Sequence, residues 1–224
     1  MRFKQIAIVL VVLLFPSLLY VIFSTGKHHI DKVQYFGPVV DSVIYKVPDA
    51  IFLNYTGDSI STADFENDIL VYNFFCLQCS DSSARNALLV KAITERFFDK
   101  KDIKYISVNL TPSVWDGAEV AEYIRPFNTN KDQWFFVTAD SNYLTRFAEQ
   151  GLLINSEYDS VGVAFKPGMA TIVIVDKDKH IRGFLDGSQY VDQSAIIDVI
   201  KRIRLEEYQK NAKRREDQFE RKRE

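Results

Sequence analysis

The chain has 224 residues, 47% of them apolar, and sets 28 basic against 30 acidic side chains, which suits one globular domain with appendages and leaves little room for two. A formal net charge of −2 supplies no field that would gather a polyanion, and no basic stripe precedes the C-terminal tail, so nucleic-acid binding is excluded.

Residues 6–23 carry no charge, are interrupted only by Pro16 and Ser17, and follow Arg2 and Lys4. About 20 apolar residues span a bilayer core, so 6–23 is expected to be a transmembrane helix behind a short cytoplasmic N-terminus, residues 1–5. The run is followed by STGKHH, not by small residues of the A-x-A kind, which favours an uncleaved anchor over a signal peptide. Arg2 and Lys4 favour retention of the N-terminus in the cytoplasm, a bias diluted by Lys27, His28 and His29. The expectation is a single-pass protein of the cytoplasmic (inner) membrane with its domain facing the periplasm or outside.

Residues 24–46, which contain YFGP, read as a linker, and the compact domain is expected over 47–205. An extended piece after Val47, a turn at Tyr55-Thr56-Gly57-Asp58 and a short second strand form a hairpin ahead of a buried strand over 69–74. Leu89, Val90, Ile93 and Phe97 recur at helical spacing and predict an amphipathic helix over 83–98. A strand over 103–110, a helix over 117–127, a strand over 134–137 and a helix over 141–150 follow. ATIVIVDKDKHIRGFLDG then supplies a buried strand, a turn at 176–179 and a partner strand from His180 onward. Ile196, Val199, Ile200 and Ile203 mark a last packed helix, and residues 206–224, dense in both signs of charge, read as a solvated helical or frayed extension. Strands alternating with helices and ending in a hairpin and helix give an α/β fold with a central mixed sheet flanked by helices.

Cys76 and Cys79, the only cysteines, close the apolar run ILVYNFF and precede the first helix of the domain. A strand that ends in C-x-x-C and leads into a helix is the layout of thioredoxin-like proteins, in which the helix N-terminus stabilises a thiolate. Two cysteines at this spacing close a disulfide if their Cα atoms approach within about 7 Å, and an outward-facing domain meets an oxidising environment. Asp81 opposes a low thiol pKa, and no basic residue lies between the cysteines and Arg85, which argues against a strong oxidant. A weak reductant, a structural disulfide and an inert pair remain open.

VPDAIFLNYTGDSISTADF, ILVYNFFCLQC, VNLTP, a tryptophan followed by FFVTAD, and IVIVDKDKHIRGFLDG resemble, over residues 47–205, the SCO/SenC proteins. These are membrane-anchored thioredoxin-fold proteins linked to copper delivery and thiol reduction in cytochrome c oxidase assembly. The resemblance implies a thioredoxin-like fold, with a cytochrome c oxidase subunit or its assembly factors as partners. The family binds copper through a C-x-x-x-C pair and a distant histidine. On that pattern Cys79 falls on the first cysteine, Ser83 on the second and Cys76 on a loop position before it. The histidine position falls on or beside Gly168 in FKPGMA, with Met169 next to it, and Thr111 takes the acidic position of a D-P motif that keeps Pro112, with Asp116 close by. Ser83 and Gly168 are thus vacant ligand positions. Cu(I) favours soft thiolates, so the metal candidates reduce to Cys79 with a displaced Cys76.

Three function classes follow: a thiol–disulfide redox or assembly protein using Cys76 and Cys79, a non-catalytic scaffold relative, and a Cu(I) carrier that uses the displaced C-x-x-C. The other conspicuous residues have plainer readings. His28 and His29 are interfacial, His180 is an exposed turn neighbour, Ser82 and Ser83 are helix-capping residues, and Trp115 and Trp134 are core or rim aromatics. Pro167 lies near where thioredoxin folds keep a cis-proline, in a register too loose to assign its isomer.

Overall fold

The computed structural model describes residues 12, 14–20, 32–75, 77, 82–109, 116–127, 129–154, 171–186 and 193–221, with the backbone alone at 82–86 and 186. The chain divides into two units, Met1–Asp31 and Lys32–Glu224. In the first, residues 14–20 are helical and exposed. Among the described residues no helix is long and apolar enough to cross a membrane; of the 6–23 span, only residue 12 and residues 14–20 are described.

The second unit is built on a seven-stranded mixed sheet. Its elements are β1 (Val39–Val40), β2 (Val43–Ile44), β3 (Ile51–Asn54), β4 (Ser59–Ser61), β5 (Ile69–Phe75), α1 (Ser82–Arg96), β6 (Ile103–Asn109), α2 (Gly117–Ile124), β7 (Trp134–Thr138), α3 (Ser141–Arg146), β8 (Thr171–Val175), β9 (Ile181–Asp186) and α4 (Gln193–Arg221). The sheet order is β4-β3-β7-β6-β5-β8-β9, and β1 pairs with β2 in a separate hairpin. β5, β6 and β7 run parallel; β3, β4, β8 and β9 join antiparallel.

β5 is central because ILVYNFF carries no charge: all seven residues are buried, as a strand covered on both faces requires. Its alternation feeds two cores. Leu70, Tyr72 and Phe74 join Phe52, Val108, Val173, Leu144 and Phe147 on the face covered by α3. Ile69, Val71 and Phe75 join Val90, Ile93, Val120, Trp134, Ile196 and Ile203 on the face covered by α1, α2 and α4. The α/β expectation with a mixed sheet flanked by helices holds.

Several boundaries differ for local reasons. The helix expected over 117–127 ends at Ile124 and tightens into a 3₁₀ turn, Arg125–Phe127, while the one expected over 141–150 stops at Arg146 and widens into a π turn, Phe147–Gly151. His180 is not an exposed turn neighbour. Asp176 Oδ1 accepts from the Asp178 and His180 amides at 3.0 and 2.9 Å, which tucks the imidazole inward until its side chain is only 14% exposed. There it meets the Tyr35 ring edge to face at 5.3 Å.

The larger differences lie at the two ends of this unit. Residues 32–46, read as linker, hold the β1–β2 hairpin and a strap fastened to the domain: the Phe36 amide donates to Ile181 O at 2.9 Å, and the Val33 amide to Glu206 Oε1 at 2.5 Å. At the other end the charged extension is helical, one of the two forms expected, as α4 runs unbroken to Arg221, but its first residue, Glu206, is tied to the domain and not solvated. Glu206 Oε2 accepts from Arg182 Nη2 at 2.6 Å. The Arg182 guanidinium also donates to Asp176 Oδ2 at 2.8 Å and Val33 O at 2.7 Å, and lies 4.1 Å from the centre of the Tyr35 ring.

Candidate thiol site

β5 ends at Phe75 and α1 starts at Ser82, so Cys76 and Cys79 fall, by sequence, in the connection that leaves the middle of the sheet at the C-terminal edge of its parallel strands. That edge is where open α/β sheets place their chemistry. The cysteines themselves lie outside the described residues, as do Gly168, Met169, Pro167, Thr111, Pro112, Trp115, His28 and His29. Ser83 is in the first turn of α1.

The surroundings of the connection are fixed by packing. The Phe75 ring, immediately before Cys76, stacks on Tyr123 of α2 at 5.4 Å and 15° and meets Phe136 edge to face at 5.6 Å. Leu77, between the two cysteines, is half-buried against the core on the α1 side. Phe75 pairs in register with Asn109, the last residue of β6, which is fully buried. Asp116, near the expected D-P position, serves as the N-cap of α2: its Oδ1 accepts from the Ala118 amide at 2.8 Å.

Beneath this edge runs a buried polar chain that the sequence reading missed. Trp134 Nε1 donates to Ser107 Oγ at 2.7 Å, and Ser107 Oγ donates to Asn73 Oδ1 at 2.7 Å. Trp134 is 4% exposed, Ser107 0% and Asn73 1%, so each group depends on the others for its hydrogen bond. A lone asparagine within ILVYNFF was the available signal. Trp134 is otherwise the core aromatic expected, stacked on Phe136 at 5.0 Å and tilted against Phe127 at 5.9 Å.

Among the described residues no group of three or more His, Cys, Asp or Glu side chains is arranged to hold a metal ion. The donor set that the sequence offers at the family's copper positions is a single thiolate, Cys79, beside the hydroxyl of Ser83 and the bare backbone of Gly168. One thiolate does not reproduce the family's three-ligand site, and the chain's other soft thiolate, Cys76, lies three positions earlier in the sequence.

No protein-family model matches the chain, and no curated protein matches it. Solved structures do. A SCO1/SenC family lipoprotein from Bacillus anthracis superposes with a TM-score of 0.59 at 15% identity, covering 71% of this chain and 95% of that one. A structure described as identifying a disulfide switch in BsSco, a member of the Sco family of cytochrome c oxidase assembly proteins, gives 0.56 at 15% identity, covering 76% and 98%. Copper-bound ScoI from Arabidopsis thaliana gives 0.54 at 14% identity, covering 72% and 99%. The mixed sheet, the succession of β5 and α1, and the closing hairpin and helix are therefore the thioredoxin-like fold of the SCO/SenC structures.

Proposed function

We propose that this chain is a membrane-anchored SCO/SenC-type protein that works by thiol–disulfide exchange, or as an assembly factor, in the biogenesis of a respiratory cytochrome c oxidase, with the family's copper site degenerate. The observation that carries the proposal is the position of Cys76 and Cys79 directly after the central strand β5 and before α1, in a fold shared with proteins of that assembly pathway. One of the two thiolates attacks a client disulfide and forms a mixed disulfide; the second thiol, once deprotonated, displaces the client sulfur. The client leaves as a dithiol and the pair as a disulfide, with two electrons passed to the client. No step runs through copper.

A free-thiol count tests the pair. Alkylation and mass measurement are expected to find both thiols blocked in protein isolated without reductant and both available after reduction. Two free thiols that a mild oxidant leaves unchanged would end the redox reading, while a disulfide that reduces yet never acts on a peptide disulfide would leave only a structural role. Copper is tested by competition. Wild type should lose Cu(I) to a chelator that Ser83→Cys combined with Gly168→His, or with Met169→His, resists. Tight binding by wild type that Cys76→Ser abolishes would instead favour a copper carrier using the displaced C-x-x-C.

The anchor over 6–23 and the outward-facing domain belong to the same proposal and rest on the charge-free run behind Arg2 and Lys4. Protease added to intact spheroplasts is expected to digest the domain; full protection, or recovery of the native protein in the soluble fraction, overturns this topology.

A further inference from the structure

Tyr72 lies in the middle of β5, fully buried, its ring tilted against Phe147 at 5.8 Å. Its hydroxyl has no hydrogen-bond partner among the described residues. An unpaired hydroxyl in a core is costly, and phenylalanine would supply the same packing without it. The tyrosine thus points to something that accepts a hydrogen bond from it.

A small cavity opens beside it, lined by Tyr72, Leu70, Val47, Thr62, Asp49 and Asp68 among others. It leaves about 10 Å³ in which the centre of a water molecule can move. That is room for one water and for no organic ligand. Acidic groups line the cavity, but cations already hold them. Lys179 Nζ donates to both oxygens of Asp49 at 2.6 and 2.8 Å, Asp176 is bound by Arg182 at 2.8 Å, and Lys177 also lines the wall. A cation would meet these ammonium groups; a neutral donor and acceptor would not be repelled. Burial, and then the negative charge of Asp49, push the Tyr72 phenol far above its ordinary value, so the hydroxyl keeps its proton and is available as a donor.

We propose that this cavity holds one ordered water, which accepts from Tyr72 Oη and donates to the carboxylate of Asp49, joining the central strand to the Asp49–Lys179 ion pair at the surface. The water supplies the missing partner, and Asp49 keeps an acceptor lone pair for it because each carboxylate oxygen can accept more than one bond.

Tyr72→Phe in the intact chain, kept in mild detergent, decides the matter, because phenylalanine fills the same space and removes only the donor. With the water in place, its loss is expected to raise the unfolding equilibrium constant about fivefold. A high-resolution crystal structure of the wild type is expected to show a density peak within about 3.2 Å of both Tyr72 Oη and an Asp49 carboxylate oxygen. Tyr72→Phe as stable as wild type or more so, or the absence of that peak, means that the hydroxyl is dry and overturns the proposal.

Discussion

Arg182 of β9 and Glu206 of α4 form an ion pair at 2.6 Å with side chains 2% and 15% exposed, and the same carboxylate receives the Val33 amide through its other oxygen. One side chain therefore satisfies a buried guanidinium and fastens the N-terminal strap. Without Glu206 the guanidinium keeps Asp176 as its carboxylate partner but loses one charged hydrogen bond, and the Val33 amide loses its acceptor. Glu206→Ala is expected to cost about 2 kcal/mol, with a smaller loss for Glu206→Gln, which keeps an acceptor. Urea unfolding measures the loss, and hydrogen exchange should show the Val33 and Phe36 amides losing protection ahead of those of β5. Uniform loss across the sheet, with no early opening of the strap, would count against this.

Asp102 gives the domain an acid-sensitive contact. Its carboxylate accepts from Arg204 Nε and Nη2 and from Lys177 Nζ, each at 3.2 Å. Burial alone would raise its pKa, but Arg204 and Lys177 outweigh it and hold the carboxyl below its ordinary value. A folded value under the unfolded value of about 3.9 means the stabilisation is complete above that pH and is lost as pH falls through the folded value. Asp102→Asn is expected to be less stable than wild type near neutral pH, by about 1 kcal/mol or less because the groups are partly solvated. The gap should close in strong acid; urea midpoints that differ equally at every pH would contradict this.

Gly117 begins α2 against the turn that follows β3. A Cβ added there would lie 2.4 Å from the Tyr55 carbonyl oxygen, a backbone atom that cannot rotate away. Gly117→Ala is expected to destabilise by about 2 kcal/mol through this overlap, although alanine is the better helix former by up to about 1 kcal/mol. A thermal melt gives the sign directly, and a stabilised variant would show that the contact yields.

Ser107 is the middle member of the buried polar chain. Ser107→Ala leaves Trp134 Nε1 and Asn73 Oδ1 without the partners they have at 2.7 Å and is expected to cost about 2 to 3 kcal/mol. Trp134→Phe deletes only the terminal donor of the chain, but it also removes aromatic volume from the core. The double variant separates the two effects: costs that simply add would show the hydrogen bond between Trp134 and Ser107 to be energetically idle.

Local patterns carried most of the fold. ILVYNFF reads as a buried strand because nothing in it tolerates water, and Leu89, Val90, Ile93 and Phe97 disclose a helix by spacing alone. The DKDK turn was legible as a turn, yet the place of His180 depends on how the Asp176 carboxylate organises it, and composition does not encode that. The fastening of the strap to Glu206 is hidden in the sequence for a related reason. Val33 and Glu206 are 173 positions apart, and a glutamate in a charged run looks solvated until its partner on another element is known. At the site, Cys76 and Cys79 announce themselves by type and spacing. Ligand or thiol geometry depends on how residues far apart in the chain are brought together, which no single stretch of sequence specifies.

The strap also settles how the domain answers a pull on its N-terminus. Tension enters at Val33 and meets first the Arg182 and Glu206 contacts and the Phe36–Ile181 bond, on the outermost strand of the sheet. Load there peels the strap from an edge, one bond after another. β5, third in from the β9 rim and flanked by β6 and β8, is shielded from that load. A pull at Val33 can thus loosen the strap while the strand that leads into the cysteines keeps its shape.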